Sequence, residues 1–147
     1  MSLPIEPVLN RVLIDMGRSF LQYISDAWPW VDPQAQNVQE QVFVLAARQR
    51  QDVGDLAAVL SDREFFIDFG TFPTEYTDLQ FLALNSIFEW LHKGQADILG
   101  EIASGISQAQ TAGDDEAVQV LTSVQGHEQN IAASLKELQS ELQTVSA

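Results

Sequence analysis

Three segments of this sequence carry polar residues where an amphipathic helix would be apolar. In the last segment, Glu128 interrupts a line of apolar residues in which every step is three or four: Ala117, Leu121, Val124, Ile131, Leu135, Leu138, Leu142 and Val145. Gln95 interrupts a similar line in the preceding segment, and Gln49 and Asp52 interrupt one in an earlier segment. A buried carboxylate or amide must form a hydrogen bond, bind a metal ion or reach water. These residues are therefore the first candidates for chemistry.

The spacing around the last turn predicts that two of these residues lie at the same height. Counted from Ala112, Gln95 lies 17 residues back and Glu128 lies 16 residues forward. Two antiparallel helices with a rise of about 1.5 Å per residue would hold the two side chains level.

At that height, the first amphipathic segment has apolar residues. Counted from Pro33, Gln49 lies 16 residues forward, and the level position behind the proline falls near Met16. Asp15 stands next to it, toward the edge of the apolar stripe. We therefore predict a mid-bundle polar cluster that consists of Asp15, Gln49, Asp52, Gln95 and Glu128. Either its members satisfy one another by hydrogen bonds, or Asp52 and Glu128 hold a metal ion.

The elements that must position this cluster are four helices. Apolar residues recur every three or four positions over residues 6–26, 35–60, 76–109 and 114–145. Residues 61–75 lack this rhythm and predict a crossover, which can extend to about 50 Å and so span a helix of about 37 Å. The second and third helices would then be parallel. We predict an all-α four-helix bundle, two antiparallel hairpins joined by this crossover, as a single domain over residues 1–147.

Aromatic residues form a second candidate site. The predicted aromatic cluster consists of Trp28, Trp30, Phe65, Phe66, Phe69, Phe72 and Trp90. We expect it to close the core beneath the crossover, because large exposed apolar patches are uncommon on monomers. A dimer face and a hydrophobic ligand pocket between helices are the functional alternatives.

The composition argues against several classes of partner. The 147 residues include 7 Lys and Arg against 21 Asp and Glu, which gives a net charge of −14. Nucleic acids and anionic membranes attract Lys and Arg, so neither is an expected partner. With no cysteine, the chain has no thiol nucleophile and no iron–sulfur cluster. The longest apolar run is six residues, and the first residues do not have the pattern of a signal peptide. The expectation is a soluble cytoplasmic protein.

The layout resembles the ferritin-like superfamily, which includes the rubrerythrins and the di-iron carboxylate enzymes. Two hairpins of similar length, a long connection and the turn Ala112-Gly113-Asp114-Asp115-Glu116-Ala117 carry the resemblance. Metal-binding members hold two metal ions with a Glu from each of two helices and a Glu-x-x-His from each of the other two. The resemblance implies this fold and, for those members, oxidase or iron-storage chemistry.

The chain departs from the ligand set that the resemblance implies. Of roughly six expected ligands, only Glu128 has the expected type in place. The other ligand positions fall on Gln49, Asp52, Gln95, Ile131 and Met16, with Asp15 beside the last. A neutral amide is a poor ligand for a di-iron centre. The resemblance therefore implies the fold and argues against the chemistry.

The resulting expectation is an interaction or oligomerising protein with no catalytic residue, no cofactor and no di-iron centre. A homodimer is the candidate assembly, and no other protein partner is identified. One alternative is a metal-binding protein or oxidoreductase with a transition metal such as iron at Asp52 and Glu128. The other is a small-molecule binding module built on the aromatic cluster.

Overall fold

A computed structural model describes residues 4–26, 36–73, 76 and 84–146. Over these residues the chain forms helices and no strand, which confirms the all-α prediction. The helices are α1 (Glu6–Gly17), α2 (Phe20–Asp26), α3 (Gln36–Asp62), α4 (Leu84–Ala112) and α5 (Asp115–Ser146). Since α2 continues the course of α1 after a short break, the described residues form a bundle of four packed helices.

The break between α1 and α2 lies inside the stretch that the periodicity predicted as one helix. Arg18 leaves the helical backbone with φ −116° and ψ 24°. The next residue, Ser19, then starts α2, because its Oγ accepts a hydrogen bond of 3.2 Å from the N–H of Gln22. A side-chain oxygen in this position satisfies a free N–H of the first helical turn. Ser19 and Gln22 are both buried.

Two apolar cores fill the bundle at different heights. The lower core contains Leu9 of α1, Leu56 of α3, Ile102 of α4 and Leu121 of α5. The upper core contains Phe20 of α2, Val42 of α3, Phe88 of α4 and Leu135 of α5. Along the chain, α3 and α4 pass from the upper core to the lower, and the other helices pass the opposite way. Thus α3 and α4 run in the same direction.

The predicted crossover is observed over residues 63–73, which have no regular secondary structure. Phe65 packs against the lower core and Tyr76 against the upper one, so the crossover runs the length of the bundle. It lies along α1. Asn10 Nδ2 donates to the carbonyl of Asp68 at 2.9 Å, and Asn10 Oδ1 accepts from the N–H of Asp68 at 2.9 Å.

The lower end of the bundle is closed by Arg63, the first residue after α3. Its guanidinium donates to both carboxylate oxygens of Asp114, at 2.8 and 2.9 Å, and to Glu116 at 2.8 Å. The Arg63 hydrogen bonds hold the pKa of Asp114 below its usual value. In the turn before α5, Gly113 has φ +70°, and Asp114 Oδ1 accepts from the N–H of Ala117 at 3.1 Å.

Candidate functional site

A layer of buried polar side chains separates the two cores. Gln49, Asp52, Gln95 and Glu128 are at most 3% exposed. Each lies on its helix between residues of the upper core and residues of the lower core. These four predicted residues therefore meet at one height, although they come from three different helices.

Glu128 Oε1 accepts hydrogen bonds from two amides. Gln49 Nε2 donates to it at 2.7 Å, and Gln95 Nε2 donates to it at 3.0 Å. Gln95 Nε2 also lies 3.0 Å from the backbone carbonyl of Glu128. The two glutamines contact each other, with Gln49 Nε2 at 3.3 Å from Gln95 Oε1. One oxygen of Glu128 is thus fully engaged by N–H donors.

Ser19, just before α2, and Gln22 of α2 complete this layer, and the prediction missed both. Ser19 Oγ donates to Gln49 Oε1 at 2.7 Å, and Gln22 Nε2 donates to the same oxygen at 3.1 Å. Gln22 Nε2 also donates to the carbonyl of Ala46 at 2.7 Å. With donors on its oxygen, the Gln49 amide must point its nitrogen at Glu128. A serine three residues before a glutamine is the capping signal that could have located this break.

Asp52 and Glu128 form a pair of buried carboxyl groups. Asp52 Oδ1 lies 2.7 Å from Nδ1 of His127, a side chain that is 30% exposed. The side chains of Asp52 and Glu128 are close enough for each to shift the pKa of the other. Among the described residues, no N–H or O–H group reaches Asp52 Oδ2 or Glu128 Oε2.

Burial makes the charged forms of this pair unfavourable. It is the main reason that the pKa of Glu128 is raised to about 8, and the interaction with Asp52 contributes to the same shift. The N–H donors Gln49 and Gln95 act in the opposite direction. Burial likewise raises the pKa of Asp52, opposed by its hydrogen bond with Glu128 and by the charge of Arg48.

The donors around this pair do not fit a transition metal. Within residues 4–26, 36–73, 76 and 84–146, no three His, Asp or Glu side chains are placed to hold one ion. Asp52 Oδ1 is engaged by His127, and Glu128 Oε1 by two amides. Only one oxygen of each carboxyl group is left, whereas protein metal sites commonly use three or more protein ligands. The predicted metal at Asp52 and Glu128 is not supported by this geometry.

Asp15 lies apart from the polar layer. It lines a cleft of about 580 Å³ between the first two helices, the end of the crossover and α4, together with Asp97 and Glu101. Partial burial, followed by the charge of Glu101, raises the pKa of Asp15 to about 6, and Arg11 opposes the shift. The prediction that Asp15 belongs to the mid-bundle cluster is corrected, because its place at the edge of the stripe turns it toward α4.

The predicted aromatic cluster is divided by the structure. Phe72 packs edge-on to Tyr23, with ring centres 5.5 Å apart, and Trp90 lies 6.0 Å from Phe20. Tyr76 links the two contacts, at 5.4 Å from the rings of both Phe20 and Tyr23. Three of these five aromatic residues were not in the prediction, because they were assigned only to a helical stripe or a helix start.

The remaining aromatic residues of the predicted cluster lie elsewhere. Phe65 is half-buried against the lower core. Phe66 is 93% exposed and Phe69 is 51% exposed, so neither closes the core. Along this extended segment neighbouring side chains point to opposite sides, which turns Phe66 outward when Phe65 points inward. Trp28 and Trp30 lie outside the described residues.

No protein-family model matches this chain, and no curated protein is similar to it at a significant level. Within the part of the chain that the structure describes, no helix has the length and apolar character needed to cross a bilayer.

Proposed function

We propose that this chain is a ferritin-like helical bundle without a di-iron centre, and that it pairs with a second copy of itself through the crossover. The observation that carries the proposal is the exposure of Phe66 and Phe69 on residues 63–73. Burying one such ring in an interface is worth about 1.5–3 kcal/mol.

The course of the helices supports the ferritin-like part of the proposal. α3 and α4 run in the same direction and are connected along the bundle, and one long crossover of this kind is a feature of ferritin-like folds. At the height of the family's metal site, Gln49 and Gln95 donate N–H groups to Glu128. Amide donors occupy the carboxylate oxygen that a metal would need.

The surface next to Phe66 supports pairing with an identical chain. A shallow groove of about 360 Å³ lies beside this ring, lined by Pro7, Arg11, Ile14 and Phe65 among others. In a two-fold symmetric dimer, each copy offers the same projection and the same groove to its partner. Phe66 of one copy can therefore enter the groove of the other. Arg11 and Asp68 both line the groove, so the contact carries no net charge although each chain has a net charge of −14.

Sedimentation analysis tests this proposal. At about 0.1 mM, well above a micromolar dissociation constant, we expect the unmodified chain to sediment as a dimer. Replacing Phe66 by serine should weaken the dimer tenfold or more, because each interface loses two buried rings. Val44→Ser is the matched control, since Val44 is also largely exposed but lies on α3. A monomeric unmodified chain, or an equal effect of the two substitutions, would contradict the proposal.

A further inference from the structure

We propose that Asp52 and Glu128 form a buried one-proton site, in which a single proton lies between Asp52 Oδ2 and Glu128 Oε2. These two oxygens are buried, and no described N–H or O–H group reaches either of them. Two carboxylates in contact repel each other when both are charged. A proton on one of them replaces that repulsion by a short, strong O–H···O⁻ hydrogen bond.

The surrounding hydrogen bonds indicate which residue carries the proton. Asp52 Oδ1 is bonded to His127 Nδ1, 2.7 Å away, and the network assigns the N–H to the histidine. Asp52 is then an acceptor at both oxygens. Glu128 accepts at Oε1 from Gln49 and Gln95 and donates through Oε2–H. With this assignment both carboxyl groups are fully hydrogen-bonded.

A proton suits this site because it requires only two oxygens. A transition metal would require further ligands, and the other oxygens of the pair already accept hydrogen bonds from His127, Gln49 and Gln95. Because these donors occupy the other oxygens, the pair lacks the ligands that a transition metal needs. A neutral carboxylic acid next to a carboxylate fits the same surroundings. The departure from the family's metal ligands therefore has a chemical consequence, which is a protonated centre in place of a metal centre.

The described charged groups near the pair do not cancel the negative charge that the pair would carry if both carboxyl groups were ionised. On α3, Arg48 and Asp55 act on Asp52 with opposite sign, and on α5 the partly exposed His127 contacts Asp52 Oδ1. The facing side chain from α4 is the neutral Gln95, and the neutral Ser19 and Gln22 face the layer from the start of α2. Burial and the contact with Asp52 hold the pKa of Glu128 at about 8, so the proton stays bound at neutral pH.

This site makes the stability of the bundle depend on pH. Glu128 has a pKa of about 8 in the folded chain, compared with an ordinary value of 4.5. Between these values the folded chain holds one proton more than the unfolded chain. The stabilisation is complete below the lower value and is lost as the pH rises through the upper one. The folding equilibrium constant should fall about tenfold per pH unit across the interval.

The matched test is Glu128→Gln, because the amide copies the protonated acid. Its Oε1 can accept from Gln49 and Gln95, and its Nε2–H can donate permanently to Asp52 Oδ2. Urea unfolding of both proteins should be measured from pH 5 to pH 9. Between pH 5 and 8, we expect the folding equilibrium constant of the wild type to fall about tenfold more per pH unit than the folding equilibrium constant of Glu128→Gln. Parallel curves for the two proteins would overturn the proposal.

A second measurement needs no change at the pair. Infrared spectra report neutral carboxyl groups by their C=O stretch, and the Asp15→Asn chain is used because Asp15 is the described acid outside the pair whose pKa is raised. We expect one such band at pH 7, and we expect it to disappear as the pH rises through about 8. Absence of a neutral carboxyl band at pH 7 would overturn the proposal even if Glu128→Gln failed to fold. Neither result depends on dimerisation through Phe66.

Discussion

Two places in this bundle bring acidic side chains into close hydrogen bonds, and their protonation shifts in opposite directions. At the lower end, Asp114 meets Arg63 through two hydrogen bonds, and its pKa is lowered. In the middle, Asp52 and Glu128 meet each other, and the pKa of each is raised. The end of the bundle is partly exposed and offers an arginine, whereas the carboxyl groups in the middle are buried and no described arginine or lysine forms a hydrogen bond with them. The acidic residues that give the chain its net charge of −14 therefore include two kinds, one with a lowered pKa and one with a raised pKa.

The largest expected effect comes from removing the buried acid altogether. Glu128→Ala leaves Asp52 without its partner and removes the carboxylate acceptor of the Gln49 and Gln95 N–H groups. Breaking one side of a buried pair costs about 3–5 kcal/mol. Urea unfolding at pH 6 measures the loss, with Glu128→Gln as the control that retains every hydrogen bond. A loss of less than about 1 kcal/mol in Glu128→Ala would show that the layer is open to water.

The next effect tests the break that supplies the layer with donors. Ser19→Ala removes the cap of α2 and the hydrogen bond to Gln49 Oε1. Each is worth about 1 kcal/mol, so we expect a loss of about 2 kcal/mol in the free energy of unfolding. Ser140→Ala is the control, because Ser140 lies on an exposed part of α5 and donates to the carbonyl of Lys136 in its own helix. Equal effects of the two substitutions would mean that Ser19 does not orient the network.

A smaller effect is expected at the lower end. Arg63→Gln removes the two hydrogen bonds to Asp114, but both partners are partly exposed, so we expect a loss of about 1 kcal/mol. The pH dependence is opposite to that of the buried pair. Because the pKa of Asp114 is lowered, its stabilisation is present above the ordinary value of 3.8 and is lost as the pH falls below it. Unfolding at pH 7 and in acid should show a difference between wild type and variant only at pH 7.

The sequence predicted the polar layer on three helices because the inward faces of the helices and their relative heights could both be counted from it. Periodicity assigned Gln49, Gln95 and Glu128 to the inward faces, and the short turn at Gly113 set the heights of α4 and α5 relative to each other. The third helix was predicted to begin at 76 or 77; residues 77–83 lie outside the described part of the chain.

The contribution of Ser19 and Gln22 to the polar layer could not be counted in the same way. The capping signal of Ser19 and Gln22 permits a break between α1 and α2 but does not require one, because Arg18 and Ser19 are both tolerated in helices. The break is stabilised by a contact with Gln49, 30 residues further along the chain. The bond of the partly exposed His127 to Asp52 likewise depends on the relative rotation of α3 and α5. Distant contacts of this kind are absent from a periodic pattern.

The smallest effect concerns Asp15, which combines features of both regions. Its pKa is raised to about 6, like those of the buried pair, but it lines an open cleft with Asp97 and Glu101. Asp15→Asn removes a partly buried charge and its repulsion from Glu101, so we expect it to stabilise the chain at pH 8 by less than about 1 kcal/mol.

The gain in stability from Asp15→Asn should develop between pH 4 and pH 6, since over that interval the folded wild-type chain retains a proton that the unfolded chain has lost.

Salt distinguishes the two kinds of acid that have a raised pKa. At about 1 M salt the Debye length is roughly 3 Å, so the part of the Asp15 gain that comes from Glu101 and Asp97 across the cleft should shrink. The pH slope assigned to Glu128 should persist, because water and ions do not reach the buried pair. Urea unfolding at low and high salt, in wild type, Asp15→Asn and Glu128→Gln, measures both. If salt removed the Glu128 slope as well, the charge at the centre of the bundle would be as accessible to solvent as the charge in the cleft.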